Sequence, residues 1–123
     1  MKRILIALAL FLAAASAAAA DADGAYSSQR PESCREFRRL HSSEVRTPAL
    51  MNIRGWIAGY LTAFNRQTPA TYDILGLSDF EAALRFIDGH CKANPLDNLA
   101  TAMEALTENL HPLRHQTRRQ AGR

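Results

Sequence analysis

Two cysteines and four histidines are the side chains of this 123-residue chain best suited to chemistry. Cys34 and Cys91 are its only thiols, and the histidines are scattered (His41, His90, His111 and His115). A structural zinc site needs four clustered ligands. His90 precedes Cys91, but neighbouring residues on a helix point in different directions, so His90 is poorly placed as a base for a catalytic thiol. The spacing favours neither a metal site nor a nucleophilic cysteine.

Other catalytic patterns are missing from the sequence as well. It contains no paired carboxylates, phosphate-cradling loop or nucleophile with a base at usable spacing. His111 and His115 are four residues apart, but Pro112 lies between them and breaks the helix that would align them. We therefore expect a protein that is not an enzyme and that has no cofactor and no metal.

The N-terminus has the organisation of a secretion signal. A basic start, Met1-Lys2-Arg3, precedes an apolar stretch over 4–15, and Ala18-Ala19-Ala20 offers a small-x-small cleavage pattern. The apolar stretch is shorter than the roughly 20 residues that span a bilayer. We expect cleavage after residue 20, no later transmembrane segment and a periplasmic location. Exported proteins meet oxidising conditions, so Cys34 and Cys91 are predicted to form one disulfide.

Charge divides the remaining chain into a body and a tail. Residues 21–110 carry nine Lys and Arg against twelve Asp and Glu, whereas residues 111–123 carry four arginines and no acidic residue. We predict a flexible N-terminal segment over 21–32, a helical domain over 33–111 and a basic disordered tail over 112–123. An exported protein rarely meets nucleic acid, so no nucleic-acid partner is expected, although the tail is suited to anionic surfaces.

Apolar residues recurring every three or four positions predict an all-α fold, a small bundle of four short helices with one disulfide. Two capping boxes mark the starts of the first and third helices (Ser33 with Glu36, and Ser78 with Glu81). The second helix is predicted over 49–65, and the fourth follows Asn94 as its cap and Pro95 as its first residue. The connection over 66–77 is long and partly apolar, so it is expected to pack over the core. The disulfide would then join the start of the first helix to the end of the third.

The second helix carries the candidate interaction surface. Trp56, Tyr60 and Phe64 follow one another at intervals of four, and either belong to the core or contact a partner or client. A neighbouring strip of small residues has the same spacing (Gly55, Gly59 and Ala63). Glycine within a helix costs up to about 1 kcal/mol relative to alanine. The strip is therefore predicted to be a notch against which another helix packs closely.

These motifs together resemble a known family. Cys34 with Phe37 and Leu40, the segment 55–60 (Gly-Trp-Ile-Ala-Gly-Tyr), and the segment 91–95 (Cys-Lys-Ala-Asn-Pro) with Leu99 are similar to the HdeA/HdeB family of small periplasmic acid-stress chaperones. The similarity spans about 34–106. It implies a helical fold, a bridge between Cys34 and Cys91, and a dimer at neutral pH. It also implies opening at low pH into an apolar form that holds unfolded periplasmic clients.

The chain departs from the family pattern in its arginine-bearing tail and in a longer stretch between the cysteines. Some periplasmic immunity proteins of secretion-system toxins resemble it equally loosely. The alternative hypothesis is therefore a small periplasmic binding protein, such as an immunity-type inhibitor or an envelope adaptor.

Overall fold

Four α-helices account for most of the backbone that the structure describes. The computed structural model of the chain describes residues 20, 22–23, 25–29, 32–43 and 45–122. Its helices are α1 (Cys34–His41), α2 (Pro48–Gln67), α3 (Phe80–Ala93) and α4 (Leu99–Leu110), and a 3-10 turn, His111–Leu113, follows α4. The described residues form two isolated β-bridges and no strand. The predicted all-α bundle is confirmed, while the predicted signal peptide lies outside the described residues except for Ala20.

Each helix begins at a side chain that accepts a hydrogen bond from a free backbone N–H, as helix starts require. Ser33 Oγ caps α1 by accepting from the Glu36 N–H at 3.1 Å, as predicted, although the Glu36 carboxylate binds Arg39. Thr47 caps α2, and Pro48 is its first residue. Proline is well tolerated at this position because it has no N–H that would be left unsatisfied there. This helix is three residues longer than the predicted range of 49–65.

Two predicted caps are wrong. Asp79, and not Ser78, caps α3 by accepting from the Ala82 N–H at 2.6 Å, because Ser78 belongs to the preceding turn and donates its N–H to Leu75 O. Asn94 is also not the cap of α4. Its N–H and its side-chain amide both donate to His90 O, so this residue ends α3.

The start of α4 is set by a long-range contact. Cys34 N donates to Asp97 O and Leu99 N donates to Glu32 O, both at 2.9 Å, which holds the segment before α4 beside the segment before α1. Asn98 then caps α4 through the Thr101 N–H. Pro95 and Leu96 lie in the turn outside the helix, and the side chain of Leu96 is exposed.

A disulfide and an apolar core hold the helices together. Cys34 at the start of α1 is bonded to Cys91 near the end of α3, and both residues are fully buried. The predicted connection between the first and third helices is thus confirmed. All four helices and the α2–α3 connection contribute large, fully buried side chains (Phe37, Ile57, Ile74, Leu84, Ile87, Leu99, Met103 and Leu106). Burying each such side chain stabilises the fold by about 1.5–3 kcal/mol.

The connection between α2 and α3 packs on the core as predicted. Its Ile74 is fully buried, and Asn65 Oδ1 at the end of α2 accepts from the Ile74 N–H at 2.7 Å. The first residues of the predicted tail pack against this connection. The N–H groups of Tyr72 and Asp73 donate to His115 O, and Arg114 Nε donates to Ala70 O at 3.0 Å. The start of the predicted tail is therefore attached to the domain by the backbone of His115 and the side chain of Arg114.

Candidate functional site

Trp56, Tyr60 and Phe64 form a row of aromatic rings along α2. All three are half-buried, with one side packed against the core and the other open to solvent. The rings of Trp56 and Tyr60 lie 5.7 Å apart between centroids and are inclined by 42°. The three side chains therefore both stabilise the bundle and supply an apolar surface, so the two readings of this row are compatible.

The small-residue strip beside this row faces open space. Gly55, Gly59 and Ala63 are exposed, and a Cβ atom built at either glycine would meet no atom within 4 Å. The prediction of a notch filled by another helix of the same chain is therefore wrong for the part of the chain that the structure describes. We call the row and the strip together the α2 outer face (Gly55, Trp56, Gly59, Tyr60, Ala63 and Phe64).

The α2 outer face carries no charge. The only charged residues of α2 are Arg54 and Arg66. The guanidinium of Arg54 points to α3, where it binds the Glu81 carboxylate and lies 5.2 Å from the centroid of the Phe80 ring. A helix on the surface of a globular protein normally presents charged residues to water. An uncharged face of small and aromatic residues is instead suited to contact with another polypeptide.

An N-terminal segment, residues 25–29, lies across part of this face. The Tyr26 hydroxyl donates to the Glu104 carboxylate of α4. Between this segment and α2 is a cavity of about 410 Å³, lined by residues of both that include Tyr26, Trp56, Gly59 and Ala63. The segment therefore partly shields the α2 outer face without filling the space above the glycine strip.

Burial and Glu104 determine the protonation of the two tyrosines at this site. Burial, and then the hydrogen bond to Glu104, raise the pKa of Tyr26 well above its usual range. Burial and the negative charge of Glu104 also raise the pKa of Tyr60. Phenols of ordinary pKa, about 10, are already neutral at pH 7, so these shifts extend the protonated, hydrogen-bond-donating form further into alkaline solution.

Two of the four histidines have structural contacts of their side chains. His90 Nε2 lies 2.9 Å from a carboxylate oxygen of Asp97, and the ring of His41 stacks on Phe37 with centroids 5.1 Å apart. Within the described residues, no three or more His, Cys, Asp or Glu side chains are grouped as a metal site would need. None of the helices there is long and apolar enough to cross a membrane.

Two participants in the site were missed by sequence reasoning. Tyr26 and Glu104 are 78 residues apart and meet only because the N-terminal segment passes over α4. Helical spacing and capping patterns are local signals, so neither could reveal this contact. The exposure of the glycine strip was also unpredictable, because spacing shows that residues share a face and not what covers it.

These features define an all-α bundle of four helices with one disulfide and an uncharged, partly shielded α2 outer face. No family model matches the chain, and no curated protein and no solved structure is significantly similar to it.

Proposed function

We propose that this protein is a periplasmic acid-stress chaperone, a holdase that exposes apolar surface at low pH and binds unfolded client proteins. The observation that carries the proposal is the α2 outer face, an uncharged surface that is partly open in the folded state. The proposal includes export through a cleaved signal over 1–20 and a role without enzymatic activity. It agrees with the resemblance to the HdeA/HdeB family.

Acid would change the charge of the chain strongly. From residue 21 onward there are thirteen Lys and Arg against twelve Asp and Glu, a net of one positive charge with neutral histidines. Carboxyl groups have ordinary pKa values of about 4, so near pH 2 they are neutral and the four histidines are protonated. The net charge then rises to seventeen positive charges. Repulsion of that size loosens a small bundle and keeps its opened form soluble.

The N-terminal contact supplies a way to uncover the face. A hydrogen bond from a neutral hydroxyl to a carboxylate is stronger than one to a carboxylic acid. The attachment of Tyr26 therefore depends on the Glu104 carboxylate as its acceptor, and loss of this bond would release residues 25–29 from α2. The disulfide between Cys34 and Cys91 would meanwhile keep α1 attached to α3 and limit the expansion of the chain.

Client aggregation followed by light scattering at about pH 2 to 3 tests the proposal. We expect the mature protein to suppress aggregation, and the double variant Trp56→Gln/Tyr60→Gln to suppress it much less. Leu77→Gln is a matched control, because Leu77 is 97% exposed and lies outside the α2 outer face. The absence of suppression by the wild-type protein would reject the holdase function.

A second candidate, a dedicated periplasmic binding protein such as an immunity-type inhibitor or an envelope adaptor, is favoured by one observation. The glycine strip is already open in the folded bundle, so binding there needs no acid opening. A homodimer would cover the same strip. A pull-down at neutral pH that yields one stoichiometric partner would favour the second candidate, whereas size-exclusion at pH 7 showing a dimer would favour the first.

A further inference from the structure

A recess separate from the glycine strip lies between α1, the N-terminal half of α2 and the start of α4. Its volume is about 240 Å³. The floor is formed by Leu40, Ile53 and Leu99, and Trp56 stands at its side. For comparison, an engineered apolar cavity of ~150 Å³ binds benzene. The recess is therefore large enough for a short alkyl chain or a single ring, but small for a drug-sized molecule.

The floor of the recess favours an apolar group. Leu40, Ile53 and Leu99 are 5%, 4% and 1% exposed and belong to the hydrophobic core. A ligand that reaches them removes its own apolar surface from water, which is worth about 25 cal/mol per Å². Side chains of the hydrophobic core thus supply the contact surface for the apolar part of a ligand.

The rim of the recess favours a cation. The carboxylate of Glu36 is already neutralised, because its two oxygens accept from Arg39 at 2.8 and 2.6 Å. The carboxylate of Glu32 has no hydrogen-bond or ion-pair partner among the described residues. Asn52 adds an amide carbonyl, and the face of a tryptophan ring attracts ammonium groups.

We propose that this recess binds a small amphiphilic amine, a molecule with one short apolar body and one ammonium group. The apolar body lies on Leu40, Ile53 and Leu99, and the ammonium group donates hydrogen bonds to Glu32. This inference does not rest on the holdase function, because it concerns the folded protein at neutral pH. The floor of the recess lies outside the α2 outer face, and Trp56 is the one residue that the two surfaces share.

The sole tryptophan of the chain provides the readout, since Trp56 borders the recess. Hexylamine is titrated into the protein at pH 7, with hexan-1-ol and hexanoate as neutral and anionic analogues of the same length. We expect a saturable change in Trp56 emission with hexylamine, about tenfold weaker binding of hexan-1-ol, and no binding of hexanoate. Saturation-transfer NMR on the hexylamine protons provides a second, independent measurement.

A pair of variants locates the binding. Glu32→Gln should lower the affinity for hexylamine to that for hexan-1-ol, while Glu108→Gln, which makes the same change on α4 outside the recess, should leave it unaltered. Circular dichroism confirms that both variants are folded. Equal binding of hexylamine and hexan-1-ol by the wild type, an unchanged affinity in Glu32→Gln, or no signal in either measurement would overturn the proposal. None of these results depends on client binding in acid.

Discussion

At the residue scale, Gly76 is the position where the backbone most clearly requires glycine. Its φ is +58°, and a Cβ atom there would overlap the carbonyl oxygen of Leu113. Because a left-handed conformation and a backbone clash both oppose a side chain, we expect Gly76→Ala to lower the free energy of unfolding by about 1–3 kcal/mol. Urea denaturation at pH 7 with the disulfide intact measures this change.

Gly89 provides the matched control for that substitution. It lies within α3, and an added Cβ would meet nothing within 4 Å. Alanine is the better helix former, so Gly89→Ala should raise the free energy of unfolding by about 0.5–1 kcal/mol. An unchanged or raised free energy of unfolding in Gly76→Ala would contradict the account of Gly76.

Residue-scale signals predicted some helix starts and not others. Ser33 was predictable as the cap of α1 because no competing cap residue adjoins it on the helix side. Ser78 and Asp79 are adjacent and both are good caps, and only the turn that engages the Ser78 N–H with Leu75 O decides between them. Asn94 failed as a predicted cap because its bonds close α3. Local sequence cannot rank such choices when a neighbouring turn determines the outcome.

At the element scale, Arg54 couples α2 to α3 in a pH-dependent way. Its hydrogen bond to Glu81 lowers the pKa of that carboxyl below its usual range. The folded state therefore binds fewer protons here than the unfolded chain. The stabilisation is present above about pH 4 and is lost as the pH falls through the folded-state pKa.

We expect Glu81→Gln to reduce the dependence of stability on pH. Between about pH 5 and pH 2, the wild type should lose more free energy of unfolding than the variant, by a small amount because the pair is exposed. Urea denaturation series across this range measure the difference. Glu108→Gln serves as the control, since no ion pair involves Glu108 within the described residues. Identical pH slopes for wild type and Glu81→Gln would refute the coupling.

The open glycine strip of α2 allows helix stability and association with another chain to be tested separately. Because Gly59 faces the cavity of about 410 Å³, Gly59→Leu should fit without clash and should raise helix stability by up to about 1 kcal/mol. The new side chain should nevertheless prevent close approach of another chain. We therefore expect self-association or partner binding at neutral pH to fall while stability does not.

Gly89→Leu is the control for this variant, because Gly89 is an exposed helical glycine that also has open space around it and lies on α3. Analytical ultracentrifugation and urea denaturation compare the two proteins. A loss of stability in Gly59→Leu would mean that the strip is packed within one molecule. Unchanged association would show that no partner uses the strip.

At the scale of the whole molecule, helix number and the disulfide were predictable, whereas the relation between distant segments was not. Periodic apolar residues and two cysteines in an exported chain suffice for the bundle. The attachment of His115 to the backbone of Tyr72 and Asp73 joins segments more than forty residues apart. This attachment could not be predicted from the local sequence, because the composition of the tail is polar and basic. The same limit applies to the contact between Tyr26 and Glu104.

The disulfide should decide how stable and how compact this small domain is. Cys34 and Cys91 are separated by 57 residues, and closing a loop of that length stabilises a fold by about 4 kcal/mol in the chain-entropy model. Small domains have total stabilities of about 5–15 kcal/mol. The variant Cys34→Ala/Cys91→Ala should therefore lose a large share of its free energy of unfolding at pH 7, as measured by urea denaturation.

Near pH 2, where the chain is highly positive, small-angle scattering should find the variant more expanded than the bridged protein. Chemical reduction of the wild type should reproduce both effects. Equal compactness of the bridged and unbridged proteins in acid would contradict a role of the disulfide in limiting acid opening.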